Sequence, residues 1–407
     1  MSEAKKVEVD VCIVGAGPAG MMLGLLLAQQ GIKVLVLEHH KNFDREFRGE
    51  VLMPRFTQML QQLNLFDLVE QYPHLKLNYL EGHFGHWREA VKIKFADISP
   101  EVPFAIWMSQ PTLLGAIHDK AKKYSNFDIW FGVSVHGLIK DEKKTIGLQA
   151  QKDREILEIH AKLTVGADGR SSMIRKLGQF EMLEEDYQFD IIWFTMPKPT
   201  GYDNTVRFFL LSDQDYLFLP RLPNLIQCGM LVPKGEFARY RQKGIESIRE
   251  KLLKAPSILN VFARELKDFS PFNVLQARSC FVKEWAQDGC LLIGDAAHTC
   301  SPVGAIGVSV AVATAIVAAD VIRKAICAND VSKAVLSEVQ RKRTSEVQEI
   351  QKIQKRLADT VFAKNTFWRF FAPMIMFLLI KTGIFYSFQR RLMVMKEPLA
   401  IDPGLSL

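Results

Sequence analysis

One stretch near the start of the chain, VDVCIVGAGPAGMMLGLLLAQQGIKVLVLE, constrains the fold more than any other part of the sequence. Its first residues, Val9 to Val14, form a continuous apolar run, which is typical of a strand buried on both faces. The pattern then predicts a helix from Pro18 to Gln30, which Gly31 ends, and a second strand that ends at Glu38. This order of strand, helix and strand predicts a βαβ unit with parallel strands.

Three glycines in this stretch follow the spacing GxGxxG, and each has a separate physical task. Gly15 permits a tight turn after the strand, and Gly20 lets the helix pack closely against that strand. Gly17 lets the backbone approach a pyrophosphate. The helix that begins at Pro18 and Ala19 presents its N-terminal amides to the same phosphates. The stretch therefore predicts a dinucleotide-binding unit.

Glu38 stands at the end of the second strand, about 20 residues beyond the glycines, where an acidic residue hydrogen-bonds the ribose hydroxyls of a dinucleotide. Its negative charge would repel the 2′-phosphate of NADP. The βαβ unit alone leaves open whether the dinucleotide is NAD or FAD.

Two glycine-containing segments farther along the chain bear on this choice. LTVGADGRSSMIRKLG, from Leu163 to Gly178, has a strand-like start that leads to Asp168. GCLLIGDAAHTCSPVGAIG, from Gly289 to Gly307, predicts a buried strand that ends at Asp295, followed by a helix.

The order GxGxxG, DG and GD resembles that of the flavin-dependent aromatic hydroxylases, the single-component monooxygenases typified by 4-hydroxybenzoate hydroxylase. Ubiquinone-pathway hydroxylases and squalene epoxidase are related to them. The resemblance extends roughly from Val9 to Ile322 and implies FAD as the cofactor, with NAD(P)H as a transient electron donor. Because FAD is a long ligand, its adenine end would lie on the first βαβ unit and its ribityl chain and ring against the GD segment.

The resemblance also implies which residues contact the cofactor. Asp295 would accept hydrogen bonds from ribityl hydroxyls, and the backbone amides after Pro302 would stabilise negative charge on the reduced ring. Arg48 would meet the flavin or its pyrophosphate, and Gln110 the ribityl chain. The residues expected to bind FAD are Gly15, Gly17, Pro18, Ala19, Gly20, Glu38, Arg48, Gln110, Asp168, Gly294, Asp295, Pro302, Gly304, Ala305, Gly307 and Val308.

Structural roles are the alternative for several residues in these segments. Arg48 could instead form a surface salt bridge, and Gln110 could be a polar residue at a helix start. Trp285 is expected to pack in the core, and His298 to hold its turn by hydrogen bonding. The nine histidines show no HExxH or other metal spacing, so no metal site is predicted, and no catalytic residue is assigned.

The function that the resemblance implies is an FAD-dependent monooxygenase. It would use NAD(P)H and O2 to hydroxylate or epoxidise an apolar or aromatic small molecule through a flavin C4a-hydroperoxide. The match to the family ends after Gly307, where Ser309 replaces the usual asparagine, so other flavin chemistry stays open. The alternatives are an FAD-dependent reductase or dehydrogenase, a halogenase-like oxidant and a non-catalytic flavin-binding protein.

The fold class that follows is α/β, with a Rossmann-like FAD-binding domain interleaved with an antiparallel-sheet substrate domain and followed by C-terminal helices. The FAD-binding domain is predicted at 1–75, 100–180 and 275–330. The substrate domain is predicted at 76–99 and 181–274, and the helical region at 331–407.

The substrate domain is predicted from β-rich runs between Asp190 and Val232 that are separated by turn residues. The aromatic residues of these runs either line an apolar substrate cavity or pack the core of the sheet: Trp193, Phe194, Phe208, Phe209, Tyr216 and Phe218. Tyr216 and Arg221 are candidates for polar groups in that cavity.

Composition limits the partners of the chain. Its formal charge of +7 fits an anionic ligand or a membrane surface and does not indicate nucleic acid. Six scattered cysteines without a CxxC pair and a polar start without a signal peptide predict a cytoplasmic protein. The apolar stretch from Phe367 to Leu392, interrupted at Pro373, predicts capping helices, with a peripheral membrane contact as the alternative. The oligomeric state is not predicted.

Overall fold

The computed structural model describes residues 5–44, 50–85, 90–211, 214–361 and 366–405. The strands in these residues are β1 Lys5–Val14, β2 Val34–Glu38, β3 Val51–Leu52, β4 Leu75–Leu77, β5 Tyr79–Phe84, β6 Val91–Lys94, β7 Ala105–Trp107, β8 Phe127–Phe131, β9 Val133–Asp141, β10 Lys144–Lys152, β11 Glu155–Gly166, β12 Met182–Pro197, β13 Val206–Leu210, β14 Asp215–Arg221, β15 Leu225–Pro233, β16 Asn273–Val282, β17 Ala286–Gln287, β18 Cys290–Leu292 and β19 His298–Thr299.

The α-helices in the described residues are α1 Pro18–Gln29, α2 Pro54–Gln62, α3 Asp67–Glu70, α4 Phe95–Ile98, α5 Gln110–Ala121, α6 Met173–Leu177, α7 Glu236–Lys243, α8 Ile245–Leu253, α9 Asn260–Glu265, α10 Gly307–Cys327, α11 Lys333–Val361, α12 Thr366–Lys381 and α13 Ile384–Met393. Helix α12 runs through position 373, so the prediction that the apolar stretch is interrupted there was wrong.

The first sheet has the strand order β17-β18-β11-β1-β2-β8, and its central pairs β18–β11, β11–β1, β1–β2 and β2–β8 are parallel. Strands β9 and β10 extend β11 as antiparallel neighbours. The apolar run of β1 is buried at its carboxyl end, and α1 packs between this sheet and α10, with all residues from Ala19 to Ala28 buried. The predicted βαβ unit and the α/β fold class are confirmed.

The second sheet has the order β19-β16-β12-β15-β14-β13-β5-β6. Its pairs are antiparallel apart from β13–β5, which is parallel. Because side chains alternate along a strand, the sheet has two faces with different partners. Phe189, Ile191 and Trp193 on β12 join the core shared with the first sheet, while Ile192 and Phe194 join a separate core with α7, α8 and α9.

The two faces separate the aromatic residues that were predicted either to line a substrate cavity or to pack the core of the sheet. Phe194, Tyr216 and Phe218 pack in the core with α7–α9, on the face turned away from the first sheet. Phe208 is exposed, and Trp193 lies on the face toward the first sheet. For Phe194, Tyr216 and Phe218 the structure therefore shows core packing.

The C-terminal helices pack against the rest of the protein. Helix α11 lies along α10, and α13 contacts α4, where Arg390 Nε donates to the carbonyl of Ile98 at 2.9 Å. No helix in the described part of the chain is long and apolar enough to cross a membrane. The domain boundaries stay a prediction; β16 and β19, from the range 275–330, belong to the second sheet.

Candidate functional site

The carboxyl ends of four adjacent parallel strands, β18, β11, β1 and β2, lie at one edge of the first sheet. Val14 at the end of β1 pairs with Gly166 of β11 and with Leu37 of β2, and Gly166 pairs with Leu292 of β18. All three glycine motifs and Glu38 follow or end these strands. In open α/β sheets, ligands bind in the crevice outside such carboxyl ends.

The first glycine turn combines close packing with an open position. Gly15 has a φ of +104°, and a Cβ on it would lie 2.4 Å from the carbonyl oxygen of Ala167. A Cβ on Gly20 would lie 2.0 Å from the carbonyl oxygen of Gly15. A Cβ on Gly17, the N-cap of α1, would have no described heavy atom within 4 Å. Gly17 thus borders free space at the N-terminus of a helix, where backbone amides favour an anion.

Glu38 ties the glycine turn to the end of β2. Its Oε2 accepts a hydrogen bond from the amide of Ala16 at 2.9 Å, and its Oε1 accepts one from the amide of His40 at 2.9 Å. The side chain is buried. Each carboxylate oxygen has two acceptor positions, so ribose hydroxyls remain compatible with this arrangement.

The DG segment is held by hydrogen bonds within its own turn. Asp168 accepts from the amide of Ile174 at 3.1 Å, and also from the amide of Met173 and the hydroxyl of Ser172, at the start of α6. Burial raises the pKa of Asp168, although these donors favour its carboxylate. Its observed partners are therefore structural, and a role in FAD binding stays a prediction.

Arg175 connects the DG segment to the GD segment. This buried side chain donates to the carbonyl oxygen of Ala296 at 2.9 Å and to that of Arg170 at 2.6 Å. Arg175 belongs to the DG segment, but its contact with Ala296 could not be predicted, since Ala296 lies 121 residues farther along the chain.

The GD segment touches the first glycine motif directly. Gly294 has a φ of +57°, and a Cβ on it would lie 2.9 Å from the Cβ of Ala19 in α1 and 3.5 Å from that of Ala311 in α10. Asp295 follows, with 32% of its side chain exposed and its Oδ2 3.4 Å from Nε of Arg170. The two glycine elements, far apart in the chain, therefore pack against each other at this edge of the first sheet.

The loop from Pro302 to the start of α10 follows the GD segment and is partly exposed. Gly304 and Ala305 have φ values of +81° and +51°, and the residues from Pro302 to Ala305 are partly exposed. Helix α10 begins at Gly307 without a side-chain cap, and Val308 in its first turn is also partly exposed. The uncapped helix start offers amides to an electron-rich group.

Gln354 on α11, which the sequence did not single out, clamps this loop. Its Oε1 accepts from the amide of Ser301 at 3.1 Å, and its Nε2 donates to the carbonyl oxygens of Ser301 and Val303 at 2.9 and 2.6 Å. Gln351, one turn earlier, donates to the carbonyl oxygen of Thr299 at 3.0 Å. Helix α11 therefore fixes the backbone that leads into α10.

A buried ionic cluster supports the loop from the other side. Glu346 forms ion pairs with Arg343 and with Arg55, and Arg55 also donates to the carbonyl oxygen of Leu392 at 3.1 Å. Burial opposes ionisation of Glu346, but the two guanidinium groups outweigh it and lower the pKa of that carboxyl. Leu392 lies 3.6 Å from the position of a Cβ on Gly304, so the C-terminal region packs onto the loop.

His298 and Trp285 lie in the core beneath the GD segment. Nε2 of His298 is 2.9 Å from Oγ1 of Thr314, and its ring contacts the ring of Trp285. Burial and Arg343 lower the pKa of His298 to about 3, which keeps the ring neutral. Trp285 is fully buried. Trp285 packs in the core, as predicted from the sequence, whereas Nε2 of His298 is bonded to a side chain of α10 rather than to the backbone of its own turn.

Two further residues were predicted to contact FAD, Gln110 and Arg48, and only Gln110 lies in the described part of the chain. Gln110 is the first residue of α5, is partly exposed and follows Ser109, whose hydroxyl caps the helix by accepting from the amide of Thr112 at 3.2 Å. Arg48 lies outside the described residues.

Glu50, which no sequence motif singled out, is a buried acid beside these elements. Its Oε2 lies 3.5 Å from Nε of Arg221 at the end of β14. Burial raises the pKa of the Glu50 carboxyl to about 7, against the opposing effects of Arg221 and the indole of Trp107. Glu50 thus lies between β14 of the second sheet and the segment that contains Trp107.

Replacing Glu50 with glutamine should change how stability depends on pH. Burial raises the pKa of this carboxyl from 4.5 to about 7 on folding, so wild-type stability falls as pH rises between those values. The penalty above that range is at most about 3 kcal/mol. The free energy of unfolding in urea should fall more between about pH 5 and about pH 8 for the wild type than for Glu50→Gln. Equal losses would contradict the raised pKa.

The hydrogen-bonding groups at this edge of the sheet fit FAD. Free space at Gly17 lies beside the uncapped amides of a helix start, which suits a pyrophosphate. The partly exposed carboxylate of Asp295 suits hydroxyl donors. The amides at the start of α10 suit the electron-rich end of a flavin ring. No group of histidine, cysteine or acidic residues in the described ranges could hold a metal ion.

A family model described as FAD binding domain matches residues 8–351. The chain is 26% identical over 404 residues to 6-methylpretetramide 4-monooxygenase of Streptomyces rimosus, covering 98% of this chain and 95% of that protein. It is 26% identical over 358 residues to 1H-pyrrole-2-carbonyl-[peptidyl-carrier protein] chlorinase of Pseudomonas fluorescens, covering 80% and 78%.

The fold is also found among solved structures. The crystal structure of p-nitrophenol 4-monooxygenase PnpA from Pseudomonas putida superposes with a TM-score of 0.79 at 18% identity and covers 96% of this chain and 100% of that one. At this identity the likeness concerns the fold.

Proposed function

The chain belongs to the FAD binding domain family, and from that premise we propose that it is an FAD-dependent monooxygenase that oxygenates an aromatic small molecule with NAD(P)H and O2. The predictions of the family, of FAD as cofactor and of an FAD-dependent oxidoreductase are confirmed by the family match and the relatives. The relatives also agree with the predicted monooxygenase function.

The contact between Gly294 and Ala19 carries the assignment of residues within the proposal. It brings the two glycine elements together at one edge of the first sheet, as a single ligand that contacts both of them requires. Along this edge, Gly17 and the amides of α1 would hold the pyrophosphate, and Glu38 would bind the ribose. Asp295 and Gln110 would bind ribityl hydroxyls.

The start of α10 would act at the other end of the cofactor. When bound, FAD supplies the electron transfer and oxygen activation that amino-acid side chains cannot. The amides from Gly304 to Val308 would stabilise negative charge there, and Gln354 would keep the loop before them in place. The side chains of the second sheet that face the first sheet would exclude water from the substrate.

Oxygen consumption with a panel of phenols tests the proposal. The FAD-loaded protein should consume O2 when given NADH or NADPH, and a substrate should stimulate this consumption. Mass spectrometry with heavy-oxygen-labelled O2 should find one labelled atom in the product. A protein that binds FAD and turns over substrate without O2 would be a dehydrogenase or reductase, and the monooxygenase assignment would fail.

A halogenase-like reaction is a second candidate because a chlorinase is among the relatives. The same assay with added chloride or bromide separates the two reactions. A halogenated product without oxygen insertion would favour this candidate, whereas a halide-independent oxygenated product favours the monooxygenase.

A further inference from the structure

A short row of polar side chains interrupts the face of the second sheet that is turned toward the first sheet. Most of this face is apolar, with Trp193, Leu219 and Leu231 in the shared core. Thr195 on β12 pairs with Gln227 on β15, and Gln227 pairs with Leu219 on β14. Arg221, two residues beyond Leu219, has Nη1 at 3.5 Å from Oγ1 of Thr195. Thr195, Gln227 and Arg221 are called the polar row below.

Gln227 is the unusual member of the polar row. Its side chain is 1% exposed, and neither its Oε1 nor its Nε2 has a hydrogen-bond partner among the described residues. Leaving both a buried acceptor and a buried donor without a partner is costly, so such groups in native proteins are nearly always paired. The missing partner must accept one hydrogen bond and donate another.

The polar row lies beside the residues assigned to the cofactor. Arg221 faces Glu50, whose backbone oxygen accepts from the amide of Met108 at 3.0 Å. Met108 stands two positions before Gln110, the residue proposed to contact the ribityl chain. Trp107, directly before Met108, has its ring 5.9 Å from the guanidinium carbon of Arg221. The row therefore lies near the segment that leads to Gln110.

Several neighbours of Gln227 on the same face of the sheet keep partial solvent exposure. Thr195, Leu217, Arg221 and Leu231 are all partly exposed, although they lie on the same face as buried Trp193 and Gln227. A ligand that entered along these side chains would meet apolar walls first and the polar row at one end. Such a combination of an apolar lining and a few convergent polar groups is typical of a small-molecule site.

We propose that Gln227 is a specificity-determining residue that binds a ring hydroxyl of the aromatic substrate, an inference that rests on the proposed function. A hydroxyl both donates and accepts, so it can satisfy Oε1 and Nε2 of one glutamine together. Thr195 and Arg221 flank that hydroxyl. Gln227 accordingly discriminates against an aromatic hydrocarbon without an oxygen substituent, because its amide would then stay unpaired.

The test compares 2-naphthol with naphthalene as binding probes for the FAD-loaded protein, with dissociation constants from the change in flavin absorbance. The wild type should prefer 2-naphthol by about tenfold or more. Gln227→Met, which keeps the length but removes both polar atoms, should lose about tenfold of that preference. Gln276→Met, at an exposed position on β16 of the same sheet, should keep the wild-type preference.

These measurements decide whether the hydrogen-bond partner of Gln227 is a ligand or an internal water. Unchanged preference in Gln227→Met, or no preference in the wild type, would show that Gln227 holds internal water and would overturn the proposal. If Gln227→Met fails to retain FAD, Gln227→Asn, which withdraws the amide by one methylene group, is expected to show the same loss. A wild type that prefers 2-naphthol but never oxygenates a phenol would refute the monooxygenase while leaving this recognition intact.

Discussion

Replacing Gly20 with alanine should destabilise the protein severely, whereas replacing Gly17 with valine should leave the fold intact and remove FAD binding. A Cβ on Gly20 would lie 2.0 Å from the backbone oxygen of Gly15, and that backbone cannot move because Gly15 itself is packed against Ala167. We expect a loss of about 3 kcal/mol or more for Gly20→Ala. Unfolding of the FAD-free protein in urea measures it.

The Gly17 variant separates binding from folding. Gly17 has φ −75° and ψ 178°, which any residue adopts, and its Cβ position is open. A valine there would project into the space proposed for the pyrophosphate, so FAD affinity should fall by about 100-fold with little change in stability. Quenching of flavin fluorescence on titration gives the affinity.

Gly115→Ala on α5 is the matched control for both variants. Gly115 is helical, and a Cβ on it would meet no described heavy atom within 4 Å. Alanine at this position should leave FAD affinity unchanged and stabilise the helix by about 0.5–1 kcal/mol. Normal FAD affinity in Gly17→Val would contradict the placement of the pyrophosphate, and normal stability in Gly20→Ala would contradict the close packing of the turn.

The sequence predicted those parts of the molecule whose signals are local. The βαβ unit from Lys5 to Glu38 follows from an apolar run, three glycines and a helix stop within one short stretch. The second sheet follows from turn residues between β-rich runs. The DG and GD motifs predicted residues of the FAD site that lie at the same edge of the first sheet in the structure.

The sequence did not predict relations between distant segments. The two faces of the second sheet differ because α7–α9 cover one of them, and no local pattern in β12 shows that Phe194 lies toward those helices and Trp193 away from them. Gln354 lies in a charged helix whose pattern resembles many solvent-exposed helices, yet it is fully buried against Ser301. Such contacts depend on tertiary packing, which a single sequence does not display.

Replacing Asp295 is the second change with a large expected effect, and this effect should concern FAD binding alone. Its carboxylate is partly exposed and lies 3.4 Å from Nε of Arg170. Asp295 lies in the turn after β18, which ends at Leu292, so the prediction of a strand that ends at Asp295 was wrong. Asp295→Ala should therefore reduce FAD affinity by about 100-fold, because hydrogen bonds to a charged acceptor are stronger than neutral ones. The stability of the FAD-free protein should change by less than about 1 kcal/mol, since the lost ion pair is partly solvated.

Asp295→Asn and Asp186→Ala distinguish a ribityl contact from a general loss of charge. Asparagine keeps an acceptor oxygen of similar shape without the charge, so FAD affinity should fall by about tenfold only. Asp186 on β12 is an exposed carboxylate paired with Lys234, and its loss should leave FAD affinity unchanged. If Asp295→Ala kept its FAD affinity, the assignment of Asp295 to the ribityl chain would be wrong. A large fall in unfolding free energy would instead place Asp295 among the residues that hold the turn, because the carboxylate would then stabilise Arg170 and the DG segment in the absence of any cofactor.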